Sequence, residues 1–352
     1  MRIFLRRLKK TNKISFISFW IIVFLYLLAI FADFVSPYPY DLQHRDYPMA
    51  PPTKIHFFDK EGRFHLRPFV YKTELVNVAF NEYREDYSKI YPVKFFVKGK
   101  RRKILGIFET DRYLFGVEGE GKIFLFGTDI HGRDIFSRIL YGARISLSIG
   151  IIGVSISFFL GLLIGGISGY FGGKVDAFLM RIVEIFMMFP SFYLMLALRA
   201  AFPINLSSIQ VYLLIVVILS LIGWASLARI IRGMVLSIKE EEYVQAARAL
   251  GIPTYRIVLK HVIPNTFSYT ITALTLSVPG YILGESALSL LGLGIQEPYP
   301  SWGNMLSVCI GNLRVLTNAP WMLIPGFFIF LTIICFNFLG DGIRDIFDPK
   351  KW

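Results

Sequence analysis

Cysteine is almost missing from this chain: Cys309 and Cys335 are its two, each inside or beside apolar sequence. Thiols so placed provide neither a disulfide framework nor a metal-ligand spacing. Catalytic constellations are missing too. No His/Cys/acid cluster and no nucleophile–base pair stands at an interpretable spacing, so the sequence offers no catalytic residue and no metal site. Charge is sparse where the chain is most apolar. Lys and Arg (38) outnumber Asp and Glu (25), for a net charge of +13. The basic residues gather at the ends of apolar runs and in one long loop, which reads as membrane orientation and not as nucleic-acid binding.

Apolar sequence is plentiful. The chain is 54% hydrophobic with 33 Phe, and its mean hydropathy is +0.54. That composition points to an integral membrane protein surrounded by lipid. Residues 1–36 carry Arg2, Arg6, Arg7, Lys9, Lys10 and Lys13 ahead of an apolar run from Ile14 to Phe34. The run exceeds the ~7–15 residues of a signal-peptide core, and no A-x-A site follows it. It reads as an uncleaved first spanning helix with a cytoplasmic N-terminus.

Residues 37–126 differ in kind. They are rich in charge and Tyr, with Pro37, Pro39, Pro48, Pro51 and Pro52 near the start. Alternating runs such as Lys94 to Val97 and Lys122 to Leu125 point to strands separated by Gly turns, and so to a β-rich extracytoplasmic insertion. Gly116 to Lys122 matches the first seven positions of a phosphate-binding loop. Ile123 replaces the hydroxyl residue that would hold magnesium, and Glu118 and Glu120 would repel phosphate. A Gly-rich hairpin is the simpler reading.

Residues 127–144 hold Asp129, His131, Arg133, Asp134 and Arg138. Their spacing fits a helix cap and ion pairs better than a metal site, on an amphipathic interfacial helix. The core then runs over 145–340. A second span, Ile145 to Tyr170, shows Gly153, Ser157, Gly161, Gly165 and Gly169 every fourth residue, a stripe for close helix packing. Asp176 is expected to cap a third helix near Ala177 to Ala200, with Arg181 and Glu184 paired along it. A fourth helix runs from Val211 to Arg229 and Arg232, a fifth from Phe267 to Leu291 interrupted by Pro279-Gly280, and a sixth from Trp321 to Leu339. Glu285 lies within the fifth, about 27 Å from its start at ~1.5 Å per residue. A hydrogen-bonded structural role near the outer surface fits it better than proton coupling. Residues 341–352 form a short amphipathic tail, with Lys350 and Lys351 expected on the cytoplasmic side.

Between the fourth and fifth helices lies a polar interruption, residues 240–265. Glu240, Glu241 and Glu242 open a helix with the charge its N-terminus prefers. Tyr243, Ala246, Ala247 and Leu250 share one face at i, i+3, i+4 and i+7, opposite Glu241, Gln245 and Arg248. Gly251 provides a left-handed C-terminal position, and Pro253 stops the helix from resuming. Thr254 can cap a second short helix through Tyr255, Arg256 and Lys260 to a break at Pro264.

The order Ala246-Ala247, Gly251, then His261 to Pro264 resembles the EAA loop of ABC-importer permeases. Gln245 stands where Glu is usual in that family, and His261 where Ile is usual. The ending His-x-x-Pro-Asn is similar to the dipeptide/oligopeptide/nickel branch. Gly127 to Arg138, Glu285 to Gly294 and Pro300 to Leu306 also resemble that branch. The resemblance covers nearly everything from Gly127 onward plus the first helix, and leaves residues 37–126 unexplained.

The resemblance implies an all-α integral membrane protein of six transmembrane helices, the type I importer permease fold, with the insertion between helices 1 and 2. It implies a multi-pass protein of the inner (cytoplasmic) membrane with both termini in the cytoplasm, and no enzyme activity of its own. ATP and Mg would be handled by two cytoplasmic ATPase subunits. A second homologous permease subunit and an extracytoplasmic substrate-binding protein would complete the importer, for peptides or alternatively nickel or another small solute. ATPase coupling would fall to Glu241, Glu242, Tyr243, Ala246, Ala247, Leu250 and Gly251, supported by Arg256, His261 and Pro264. A proton-coupled secondary transporter is the other class of reading, and Glu285 is its candidate residue.

Overall fold

The computed structural model describes residues 2–78, 81–104, 108–203, 205–310 and 313–347. Helices α1 (Arg2–Thr11), α2 (Lys13–Ile30) and α3 (Ala32–Val35) come first. Strands β1 (His56–Phe58), β2 (Phe64–Asn77), β3 (Glu82–Ile104) and β4 (Phe108–Val117) follow. Next are α4 (Ile135–Phe171), α5 (Gly173–Met188), α6 (Ser191–Ala200), α7 (Ser208–Ile238), α8 (Glu242–Ala249) and α9 (Thr254–Ile257). A π-helical turn (Val258–Val262) leads into α10 (Ile263–Leu290). The chain closes with α11 (Trp302–Ile310), α12 (Leu313–Asn318), a 3₁₀ turn (Pro320–Leu323) and α13 (Ile324–Phe347).

Among the described residues, five helical stretches are long and apolar enough to cross a membrane: Lys13–Ile30, Ile135–Phe171, Ser208–Ile238, Thr254–Leu290 and Pro320–Phe347. The sixth expected span is the pair α5–α6, which is bent by 86°. A continuous helix from Ala177 to Ala200 is therefore not what forms. Phe189, just before Pro190, is extended at φ −82, ψ 131, the region into which a following proline drives a residue.

Two compact units emerge: Met1–Ile22, Ser148–Glu285 and Leu331–Trp352 make one, Val23–Leu147 and Ser286–Phe330 the other. In the first, α4 packs along its small-residue stripe. A Cβ at Gly165 would stand 2.4 Å from the Ala228 carbonyl oxygen, and one at Gly169 2.7 Å from that of Arg232. Only hydrogen fits between those backbones. The stripe ends there, because Gly173 faces open space. Ser207 and Gln210 form a reciprocal capping box at the start of α7, satisfying donors the first turn leaves over. Asp176 does not cap α5, whose N-cap is Gly172. Its carboxylate accepts from Ser168 Oγ of α4 at 2.5 Å and grips Arg232 of α7. Arg181 and Glu184 pair at 3.2 Å as expected, and the Glu285 side chain is fully buried.

The second unit contains the insertion. Its antiparallel sheet has the order β1-β2-β3-β4, with Tyr71 opposite Ile90 and Val97 opposite Tyr113. Val70, Tyr91, Val93 and Ile123 form its core. The expected strand at 122–125 is absent: the chain leaves the sheet after Val117, and Ile123 and Phe124 bury without pairing as a strand. The Gly-rich stretch is thus an exit from β4 and not a hairpin. Its acids meet lysines, Glu118 with Lys94 and Glu120 with Lys72.

Residues 127–134 form a tight turn instead of the start of a separate interfacial helix, and α4 runs unbroken through residue 145. Asp134 caps α4, accepting from Ser137 N at 2.8 Å and Ser137 Oγ at 2.5 Å. Burial pushes its carboxyl up to about 7. Asp129 takes Arg133 Nε at 2.7 Å and lies 3.7 Å from Arg138 Nε. Glu297, from the other side of the unit, bonds both guanidiniums. Trp302 is fully buried, donating to the Ile139 carbonyl at 3.1 Å. At the far end, α13 continues to Phe347, while Lys350 and Lys351 lie outside the described residues.

Candidate functional site

The stretch from Glu240 to Asn265 lies wholly in the first unit. Helix α8 begins at Glu242 with Glu241 as its N-cap, and Glu241 makes no side-chain capping bond. It stops because Gly251 takes φ +71, a conformation that costs glycine nothing. Thr254 is the first residue of α9 and not its cap, which is Pro253.

The face that buries is not the face that the apolar spacing picks out. Val244 is 0% and Ala247 5% exposed, and both pack with Tyr170, Leu227, Ile231, Val235, Ile257 and Val262. Tyr243, Ala246 and Leu250 instead face outward, with Leu250 80% exposed. Ala247 thus belongs to the inner seam, and the outer apolar stripe is Tyr243, Ala246 and Leu250. Val244 is the residue that sequence reasoning missed. Its i, i+3 relation to Ala247 could have shown it, but two apolar stripes on one short helix leave the choice to tertiary packing.

Polar contacts also tie α8 to its surroundings. Gln245 Nε2 donates to the Lys239 carbonyl at 3.0 Å. Arg248 lies over the Tyr170 ring, 5.0 Å from its centroid, and donates to its hydroxyl at 3.3 Å. Asn265 donates to the Tyr243 hydroxyl at 2.9 Å and to the His261 carbonyl at 2.7 Å. The Tyr243 and His261 rings lie 6.5 Å apart. Arg256 is exposed and reaches the Tyr255 hydroxyl at 3.2 Å.

Pro264 does not break the chain as expected. The turn before it widens, and Ile263 N–H reaches back five residues to the Val258 carbonyl. A wider turn of this kind accommodates a residue with no N–H to give. From Thr254 to Leu290 the backbone stays helical throughout, so the expected interruption at Pro279-Gly280 does not form and Pro279 sits inside α10. The short helix α8 is thereby fixed by its inner seam to α4 and α7, and through α9 and the π turn to α10.

The same unit has a cavity of about 600 Å³ beside α10. Its polar lining is Asn265, Ser268, Tyr269, Thr272 and Arg344, with Met234 and Phe347 among the apolar walls.

Residues 161–352 match the family described as binding-protein-dependent transport system inner membrane component. Residues 1–52 match the N-terminal transmembrane domain of oligopeptide transport permease C. The chain is 47% identical over 226 residues to the oligopeptide transport system permease protein OppC of Haemophilus influenzae, covering 64% of this chain and 70% of that one. It is 45% identical over 226 residues to the dipeptide transport system permease protein DppC of Bacillus subtilis, covering 64% and 68%. OppC of Escherichia coli K12 is 43% identical over 226 residues, covering 64% and 72%. Among solved structures, an amino acid ABC transporter aligns with a TM-score of 0.36 at 16% identity, over 55% of this chain and 93% of that one.

Proposed function

We propose, for a chain that belongs to the family of binding-protein-dependent transport system inner-membrane components, that it is the permease subunit of an ATP-driven peptide importer. Its similarity to peptide permeases favours peptides over nickel as cargo. The companion permease, two cytoplasmic ATPases that handle ATP and Mg, and an extracytoplasmic binding protein are its proposed partners. Both termini and α8 would lie on the ATPase side.

One observation carries the coupling role: α8 has two apolar faces, of which its own chain covers one. An ATPase groove that received Tyr243, Ala246 and Leu250 would press on a helix already seated through Val244 and Ala247. Displacement of α8 would then be transmitted to α4, α7 and α10 without a flexible link. Glu241, Glu242 and Arg256 are exposed on the same stretch and would supply its charged rim, while Gly251, His261 and Pro264 hold its shape. The polar groups around the cavity beside α10 would contact the translocated molecule.

The test is co-purification of the ATPase subunits with the wild type and with Leu250→Arg. Leu250 is 80% exposed, so an arginine there should leave the chain folded. Loss of the ATPase from a folded L250R protein supports the reading. Full retention, with uptake following a proton gradient, would overturn it and return attention to Glu285.

A further inference from the structure

We propose that the inserted β-sheet is anchored to the bilayer surface by Phe95 and Phe96 of β3, which dip into the lipid headgroup region. The two rings are 67% and 58% exposed. Val93 and Val97, two residues to either side of Phe95, are buried at 8% and 9%. Regular alternation along a strand would bury Phe95 with them. It does not, and Phe96 next to it has φ +56. This is a conformation that a bulky side chain rarely adopts, and such strain collects where a surface has work to do.

Their position identifies the occupant. The Phe96 ring lies 6.2 Å from that of Phe34, four residues beyond Ile30, where the first apolar span ends. A second tie is independent of the rings: Arg102 donates to the Ser36 carbonyl at 3.1 Å and to its hydroxyl at 3.0 Å. β3 is thus held at two points against the segment by which the chain leaves α2. Ile30 and Phe31 are themselves 38% and 45% exposed there. The apolar surface that a spanning helix turns toward lipid therefore continues onto Phe95 and Phe96.

Charge agrees with this placement. Lys94 and Lys98 flank the pair, and Lys98 is 83% exposed, although their ammonium groups also reach Glu118 and Asp111. Aromatic rings between lysines match the boundary between acyl chains and anionic phosphates. Leu66 is more exposed still, at 87%, but no ring contact or hydrogen bond among the described residues ties it to a span end, which makes it the internal comparison.

The full chain would be placed in nanodiscs of phosphatidylethanolamine and phosphatidylglycerol, with a nitroxide on Phe95→Cys, Phe96→Cys or Leu66→Cys. The native thiols Cys309 and Cys335 are buried, and any labelling of the wild type is subtracted. Collision with oxygen, which dissolves in lipid, is compared with collision with a water-soluble nickel chelate. Oxygen should exceed the chelate several-fold at positions 95 and 96, and the order should reverse at 66. If 95 and 96 behave as 66 does, the rings face water and the proposal fails. If both relaxants are shut out at 95 and 96, protein covers them and it fails equally.

Discussion

Asp176 of α5 holds Arg232 of α7 with both carboxylate oxygens, Nε and Nη2 each at 2.5 Å. The pair is mostly sheltered, with side chains 15% and 31% exposed. Ser168 of α4 completes it, so three helices of the first unit meet at one carboxylate. Asp176→Ala strands a guanidinium and should cost about 2–4 kcal/mol. The readout is thermal melting of the protein in nanodiscs. Swapping the two charges in one chain should recover part of the loss, and an unaltered melting point in the single variant would refute the assignment.

Ala247 and Leu250 should respond in opposite ways to the same substitution. Arginine at 247 enters a packed seam and should cost several kcal/mol as an unpaired buried charge, seen as lost folded protein. Arginine at 250 should leave yield and melting unchanged while reducing ATPase association at least tenfold.

Neighbouring glycines on α4 offer a second contrast. Gly165→Ala must push apart the α4 and α7 backbones and should cost about 1–3 kcal/mol. Gly166 has nothing within 4 Å of an added Cβ, so Gly166→Ala should be neutral or stabilise by up to about 1 kcal/mol. Thermal melting of both variants decides this.

Acidity should act on the second unit through His44, which burial and then Lys122 push down to about 4. A depressed histidine lets the unfolded chain bind more protons than the folded one between about 6.5 and 4. Its contribution is complete above that window and lost as pH falls through it. His44→Phe should flatten the acid limb of a melting-temperature profile. Asp134 has the opposite sign: raised to about 7, it stabilises below the ordinary carboxylate range and less as pH rises through 7. Asp134→Asn keeps the neutral shape and should remove that decline.

Filling the cavity beside α10 tests the proposed path of the cargo apart from the proposed coupling role. Ser268→Trp should abolish peptide uptake in reconstituted importer while ATPase association persists. Uptake at the wild-type rate would exclude that cavity from the path.

The spans were legible because about 20 apolar residues in a row have few other uses. The short helix α8 was legible because Gly251 and Pro253 punctuate the stretch that follows it. The bend at Pro190 was hidden by apolar sequence on both sides, which makes two short helices read as one. The burial of Val244 in place of Ala246 depends on where α7 lies, which no local pattern encodes. Glu297 joins Arg133 and Arg138 across more than 150 residues of chain, a separation at which periodicity says nothing.

The wide turn at Val258–Val262 also fixes a rotational phase. Each residue of an α-helix advances about 100° around its axis and ~1.5 Å along it. Deleting one residue from this turn would tighten it to ordinary α-helix and swing α8 by about that angle against α10. Tyr243, Ala246 and Leu250 would keep their chemistry but lose their bearing. The single extra residue serves as a tooth in a gear, and changing its count by one would leave both wheels intact but out of mesh.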